Sequence, residues 1–336
     1  MSSEPSVLVV GATGFIGGAL ARALIERGDP VRAAVRSGSA GRSLSELGAE
    51  VVEADLLDPA SLRSAARGTS LIYHAGGANA MCPRDPGKLF EVNVRGTLNL
   101  VEAAAAVGVG RVVYTSSAAT LGEARGTTAT GESPHRGSFL SAYEHSKYMA
   151  ESQAMERART LGVDLICVNP SSVQGRGRTR GTAKWLIRYA DGRLHWMVDT
   201  RVSLVAVDDC VLAHLQAARL GVPGRRYLVN GATLGIRELI DLVAEATGRR
   251  YPVHLVPAWA ASAGGYVAGA AWGLASRPAP VCPEMVRTLL HGHAYDGSQA
   301  ARELEFSYTP IRDFIRATLG WYWEHGLIRQ SPTVSA

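Results

Sequence analysis

A doubly wound parallel α/β sheet with a smaller, mainly helical C-terminal part is the fold class this 336-residue chain predicts, on three observations. Short apolar runs alternate with helical stretches through the first half. The loop Gly11-Ala12-Thr13-Gly14-Phe15-Ile16-Gly17 separates the first apolar run from the first helical stretch. After Pro170 that rhythm breaks and helices dominate. Strands without polar alternation are buried on both faces, and right-handed crossovers then place helices on both sides of the sheet.

Taken in order, Val7–Val10 reads as a buried strand that enters the glycine loop and a helix reaching about Arg27. Val31–Val35 and Glu50–Ala54 give the second and third strands, and Leu71–His74 the fourth. Arg111–Thr115 is the fifth and Val163–Val168 the sixth. Helical periodicity fills the gaps at Ala60–Ala66, Leu89–Val107 and Ser141–Leu161. Beyond Pro170, a strand at Val202–Val207, a helix at Asp208–Leu220 and a strand at Tyr227–Val229 are expected to return to the sheet. The division is therefore residues 1–172 for the nucleotide part, rejoined by 202–229, and 173–330 mainly for substrate.

Bulk composition narrows the function classes. A hydrophobic content of 46% with 19% charged residues describes a globular protein with a large core. The net charge of +5 comes almost wholly from arginine, since lysine occurs only at Lys88, Lys147 and Lys184. No basic stripe interleaved with aromatics accompanies it, so nucleic acid is not an expected partner. Cys82, Cys167, Cys210 and Cys282 lack metal-ligand spacing, which predicts free thiols in a reducing, cytoplasmic setting. The first residues lead at once into a strand, so no signal peptide is expected. The apolar run Ala258–Ser276 is short and rich in glycine and alanine, so a substrate-covering or core helix is expected there rather than a membrane span.

The chemistry is concentrated in a few positions. Gly11 allows a tight turn, Gly14 lets backbone approach a pyrophosphate, and Gly17 lets helix pack on strand. The helix N-terminus behind them attracts an anion. After the second strand, an acidic residue would select NAD(H). Arg36 and Ser37 stand there instead, which favours NADP(H) over NAD(H). Asp55 and Leu56 are placed by the adenine edge. Ser117 ends the fifth strand, where open α/β sheets bind ligands. Tyr143 and Lys147, four apart on a helix, share one face, and an ammonium beside a phenol would lower the phenol's pKa. A phenol so placed exchanges a proton with a carbonyl or hydroxyl. Among histidines, His135 and His145 are weighed as proton carriers; His145 falls on another helix face from Tyr143. No His/Asp/Glu cluster in the sequence suggests a metal. The arginines of the 176–193 stretch read as a solvated loop and helix face.

These residues, with His74-Ala75, Asn93-Val94-Arg95-Gly96-Thr97 and Asn169-Pro170-Ser171-Ser172-Val173, make the chain resemble the extended short-chain dehydrogenases/reductases. The resemblance lies in the branch of dihydroflavonol 4-reductases, 3β-hydroxysteroid dehydrogenases and NAD-dependent epimerase/dehydratases, and spans Val7 to about Leu327. It implies a Rossmann sheet with Tyr143 as acid/base. Lys147 would hold the nicotinamide ribose and tune Tyr143, and Ser117 would polarise the substrate. Around the cofactor it places Gly11, Thr13, Gly14, Phe15, Ile16, Gly17, Ala75, Gly76, Pro170 and Ser172. It also implies a homodimer through the two long helices.

The chain departs from the family pattern at three points. Gly76 stands where alanine is usual, so a looser turn is expected. Asn169 replaces an arginine common in nucleotide-sugar enzymes. Ser117-Ala118-Ala119 lacks the Thr-Asp-Glu of sugar dehydratases, which removes the acid and base for water elimination. The leading expectation is an NADP(H)-dependent ketone/secondary-alcohol oxidoreductase for a bulky, fairly apolar small molecule, with the Trp259–Trp272 segment as an apolar lid. The alternatives are a nucleotide-sugar epimerase with tightly bound cofactor and a non-catalytic NADP(H) sensor.

Overall fold

The structure, a computed structural model, describes residues 6–274, 281–329 and 331–332, with only the backbone of 38, 39 and 272–274. Twelve strands follow one another among these residues: β1 (Ser6–Val10), β2 (Val31–Val35), β3 (Glu50–Glu53), β4 (Thr69–His74), β5 (Arg111–Thr115), β6 (Asp164–Pro170), β7 (Ser172–Gln174), β8 (Trp196–Val198), β9 (Arg201–Ala206), β10 (Arg226–Val229), β11 (Ala232–Gly235) and β12 (His254–Val256). Seven of them form one parallel sheet in the order β10-β6-β5-β4-β1-β2-β3. The winding reverses between β1 and β4, and such a switch point opens a crevice at the carboxyl edge of the strands. Register places Val10, His74 and Tyr114 side by side at that edge. The loops beginning at Gly11, Ala75 and Ser116 therefore leave the sheet next to one another.

Each face of the sheet is covered. Leu20 and Leu24 of helix Phe15–Glu26 and Val211 of helix Val207–Leu220 pack over Val9, Tyr73 and Val113 on one side. Leu62, Leu100 and Ala154, from three further helices, cover Leu8, Ile72 and Val112 on the other. A separate core of Leu186, Tyr189, Leu239, Phe314 and Tyr322 holds the C-terminal helices together.

In the fold, the structure corrects four expectations. Of the 202–229 segment only β10 joins the main sheet. It takes the free edge of β6, so β9 pairs with β7 and β11 in a three-stranded sheet. The expected continuous helix Leu89–Val107 is interrupted: helix Pro86–Phe90 passes through a π-helical turn, Glu91–Arg95, into helix Gly96–Val107. Such turns mark places where one side chain is diverted from the helical register. Cys82 and Cys282, read as free thiols, form a disulfide that ties the loop after β4 to the start of helix Pro283–His291. Cys167 and Cys210 are free and buried. The free-thiol argument for a reducing compartment therefore fails.

The fourth correction concerns the lid. Helix Ala258–Leu274 packs against helix Pro283–His291, with Gly265 facing Val286 and Gly269 facing Pro283. Its Trp259 and Tyr266 are exposed, and none of its described side chains lines the cavity, so these do not form the expected apolar lid. Residues 275 and 276 of the predicted run, and the side chain of Trp272, lie outside the described residues. Among those described, no helix is long and apolar enough to cross a membrane.

Candidate active site

The glycine loop is fixed by close approach. Gly11 has φ +84°, and a Cβ there would sit 2.6 Å from the backbone nitrogen of Gly76. A Cβ on Gly17 would lie 2.2 Å from the Gly11 carbonyl oxygen. Gly14 caps helix Phe15–Glu26 without any side-chain cap, so the first N–H groups of the helix remain open to an anion. Gly76 does not loosen the second turn. An added Cβ would be 3.2 Å from Leu56 Cδ1 and 3.4 Å from Val10 Cγ1, so the glycine lets the two turns nest tightly.

Helix Ala142–Leu161 begins where its sequence says it should. Ser141 Oγ accepts from Glu144 N at 3.2 Å as an N-cap, and Glu144 Oε2 reaches back to accept from Leu140 N, one residue before the cap, at 2.9 Å. Tyr143 is thereby held in the first turn and Lys147 in the next. Asn93, diverted by the π-helical turn, braces this helix. Its Nδ2 donates to Ser146 Oγ at 2.9 Å, and its Oδ1 accepts from Ala78 N at 2.7 Å, which also pins the loop after β4. That clamp was not read from the sequence.

Lys147 is buried, and its Nζ donates to Tyr114 Oη at 3.0 Å and to the Thr115 carbonyl at 2.9 Å. Burial lowers its pKa to about 8. His74, buried beneath it and stacked on Tyr114, falls to about 3 through burial and then the Lys147 charge, so it is a neutral strut. Its Nε2 is 3.1 Å from Thr97 Oγ1, whose proton goes to the Asn93 carbonyl at 2.6 Å. The imidazole must therefore donate from Nε2.

Tyr143 corrects the electrostatic expectation. Burial raises its pKa, and the Ser117 hydroxyl bonded to it and the nearby Arg178 charge only partly oppose the rise. The phenol is thus protonated, a donor. Ser117 caps the short turn Ala118–Leu121 and accepts from Ala119 N at 3.2 Å. Its carbonyl accepts from Asn169 Nδ2 at 3.2 Å. Asn169 also meets Glu151, which Arg226 pairs at 3.0 Å. A neutral residue at 169 fits a carboxylate that already has its cation.

Ser117 and Tyr143 line a cavity of about 470 Å³ beside the glycine loop. Gly14, Phe15, Ile16, Ala75, Pro170 and Ser172 share its wall, with Met81, Val173, Trp185, Val202 and Leu289 adding apolar surface. Gly11, Gly17, Gly76 and Lys147 are not among its lining residues, and Thr13 is exposed on the loop. Arg36 and Asp55 are exposed after β2 and β3, with Leu56 half-buried, further along the same sheet edge and outside the cavity. Asp55 Oδ1 accepts from Leu57 N at 2.8 Å. Arg178, expected to be solvated, lines the cavity instead, its guanidinium over the Phe15 ring at 5.3 Å. Of the two histidines weighed, His145 stacks on Phe139, and His135 packs against Gly122 and accepts from Gly137 N at 2.9 Å. A third group was missed: Glu123, His291 and His293 converge, contrary to the expectation of no such cluster. Its only sequence signal is His291-Gly292-His293.

The parallel sheet, its switch-point crevice and the open helix N-terminus define an NAD(P)-dependent oxidoreductase of the extended short-chain type. The chain belongs to the NAD dependent epimerase/dehydratase family, whose model matches residues 7–229. It is similar to sterol demethylase protein B of Methylococcus capsulatus, 31% identical over 338 residues, 96% of this chain and 100% of that one. A 2-alkyl-3-oxoalkanoate reductase of Stenotrophomonas maltophilia is 30% identical over 253 residues, 72% and 76% of the two chains. The crystal structure of gox2253 superimposes with a TM-score of 0.84 at 29% identity, covering 97% of this chain and 100% of the other.

Proposed function

We propose that this protein interconverts a ketone and a secondary alcohol on a bulky, fairly apolar small molecule, using NADP(H). The observation that carries the reading is the meeting of Ser117 and a protonated Tyr143 beside the glycine loop, on the wall of a cavity lined by both apolar and polar side chains. The similarity to a named oxoalkanoate reductase supports it. The glycine cradle and open helix N-terminus suit a dinucleotide, with Arg36 at its 2′-phosphate. The bound nicotinamide supplies or takes the hydride. Ser117 orients the substrate oxygen, and Tyr143 donates the proton as negative charge develops there. Lys147 spends two of its three N–H donors on Tyr114 and Thr115, which leaves one for the ribose.

The decisive assay incubates purified protein with NADPH and a panel of bulky ketones and nucleotide sugars. Net loss of the reduced cofactor with a ketone is expected. Tightly retained nucleotide with epimerisation of a sugar, and no net redox, would establish the epimerase instead. A homodimer through helices Gly96–Val107 and Ala142–Leu161 belongs to the same reading, and solution mass by light scattering tests it.

Two smaller effects accompany it. Arg36→Ala weakens NADP(H) by about tenfold or more, since a charge-assisted bond is worth about 1.5–3 kcal/mol, and leaves NAD(H) nearly unchanged. Tighter binding of NAD(H) than NADP(H) by the wild type would refute the assignment. Reduction also has an alkaline limb. As pH rises through about 8, Lys147 loses its proton and with it the charge at the ribose, so kcat/KM for the ketone falls. Tyr143, shifted upward, stays protonated longer and does not set this limb. A flat profile well above that pH would exclude Lys147 as its cause.

A further inference from the structure

Glu123 follows the short turn after β5 and is 2% exposed. His291 ends helix Pro283–His291, and Gly292 at φ +71° redirects the chain so that His293 approaches the same carboxylate. His293 Nδ1 is 2.6 Å from Glu123 Oε1, and His291 Nε2 is 3.3 Å from the same oxygen. The Tyr295 hydroxyl flanks the bond, 3.0 Å from His293 Nδ1. Burial would raise the Glu123 carboxyl, but the bond to His293 and the neighbouring histidine charges bring it below its ordinary value. His293 and Tyr295 line the cavity that holds Ser117 and Tyr143, and the His293 side chain is 20% exposed.

Three residues of this kind could hold a metal ion, their ligand atoms lying within 4.8 Å of one another. The Glu123–His293 spacing argues otherwise. Two ligands about 2.0–2.1 Å from one tetrahedral ion stand about 3.3 Å apart, whereas 2.6 Å is a hydrogen bond. Arg136, which donates to the Glu123 carbonyl at 3.2 Å and pairs with Glu144, also brings a positive charge to the cluster. The arrangement is a carboxylate–imidazole pair, in which the carboxylate accepts the Nδ1 proton and fixes the tautomer. In the neutral form of the ring Nε2 is then an acceptor, and no hydrogen bond among the described residues uses it.

We propose that His293 determines specificity by accepting, at Nε2, a hydrogen bond from a substrate hydroxyl separate from the oxygen at Ser117 and Tyr143, with Glu123 as its positioning residue. The substrate class is thus a hydroxyketone; this rests on the ketone reading of the same site. A site built to pair with a hydroxyl rejects the analogue lacking it, because its own acceptor is left unsatisfied.

Matched ketones with and without a hydroxyl at successive positions test the proposal. In the wild type, at least one hydroxylated member is expected to exceed its deoxy counterpart in kcat/KM by about tenfold or more. That ratio falls towards one in His293→Phe and Glu123→Gln, and Glu123→Asp restores part of it. No hydroxyl preference in the wild type, or a ratio unmoved by both variants, overturns the proposal. Imidazole nitrogen–proton correlation spectra, with His293→Phe to identify the ring, give a readout independent of turnover. The Nδ1–H tautomer, altered by Glu123→Gln, supports the assignment; the Nε2–H tautomer overturns it. If no ketone is reduced, the ketone reading itself fails and the tautomer still decides the pairing at His293. One equivalent of zinc bound by the wild type and lost in His291→Ala would make the cluster a metal site and overturn the proposal.

Discussion

Tyr143→Phe lowers ketone turnover by about 10²–10⁴-fold, the usual worth of a positioned proton donor. The loss falls on kcat more than on cofactor affinity, because the phenol acts on the substrate oxygen as charge develops. The fold should survive. Helix Ala142–Leu161 is initiated by Ser141 and Glu144 and braced through Asn93 and Ser146, none of which uses the phenol hydroxyl. Steady-state kinetics beside a thermal melt and an NADPH titration separate these effects. Near-normal turnover by the variant would remove Tyr143 from the mechanism.

Gly11→Ala is expected to damage both cofactor binding and stability. At φ +84° a side chain is strained, and the new Cβ would stand 2.6 Å from backbone of the neighbouring turn rather than from a side chain that could rotate away. A residue forced into such a conformation costs about 1–3 kcal/mol before the collision is counted. Relief requires the Gly11 and Gly76 turns to separate, which displaces the helix N-terminus proposed to hold the pyrophosphate. Tm should fall by several degrees and the NADPH Kd should rise by about tenfold or more. An unchanged melt and an unchanged titration would show that the two turns are not coupled as described.

What could be read from the sequence was what is local in the chain. Gly11 to Gly17 and Tyr143 to Lys147 are short spacings whose geometry follows from one turn or one helix, and alternating apolar runs fix a parallel sheet. The π-helical turn at Glu91–Arg95 was hidden because its residues continue the helical periodicity on both sides. The Cys82–Cys282 bond spans 200 residues and the Glu123–His293 bond 170, so no spacing rule reaches them. Arg178 looked like one of several loop arginines, and only the packing of its guanidinium over Phe15 sets it apart. The downward shift expected for Tyr143 failed for the same reason: burial of the phenol outweighs the opposing effects, and Lys147 donates hydrogen bonds to Tyr114 and Thr115.

The Cys82–Cys282 bond also changes what kind of object the unfolded chain is. Backbone and bridge close a ring that contains β5, β6 and β10 and the helix bearing Tyr143, while the glycine loop lies on the N-terminal tail outside it. A closure of this length removes about 5 kcal/mol of conformational entropy from the denatured ensemble in the chain-entropy picture. The oxidised polypeptide is therefore a lariat-like molecule with two free tails. Ser117, Tyr143 and His293 are then constrained unequally: the first two belong to the ring, and the third hangs eleven places beyond its clasp.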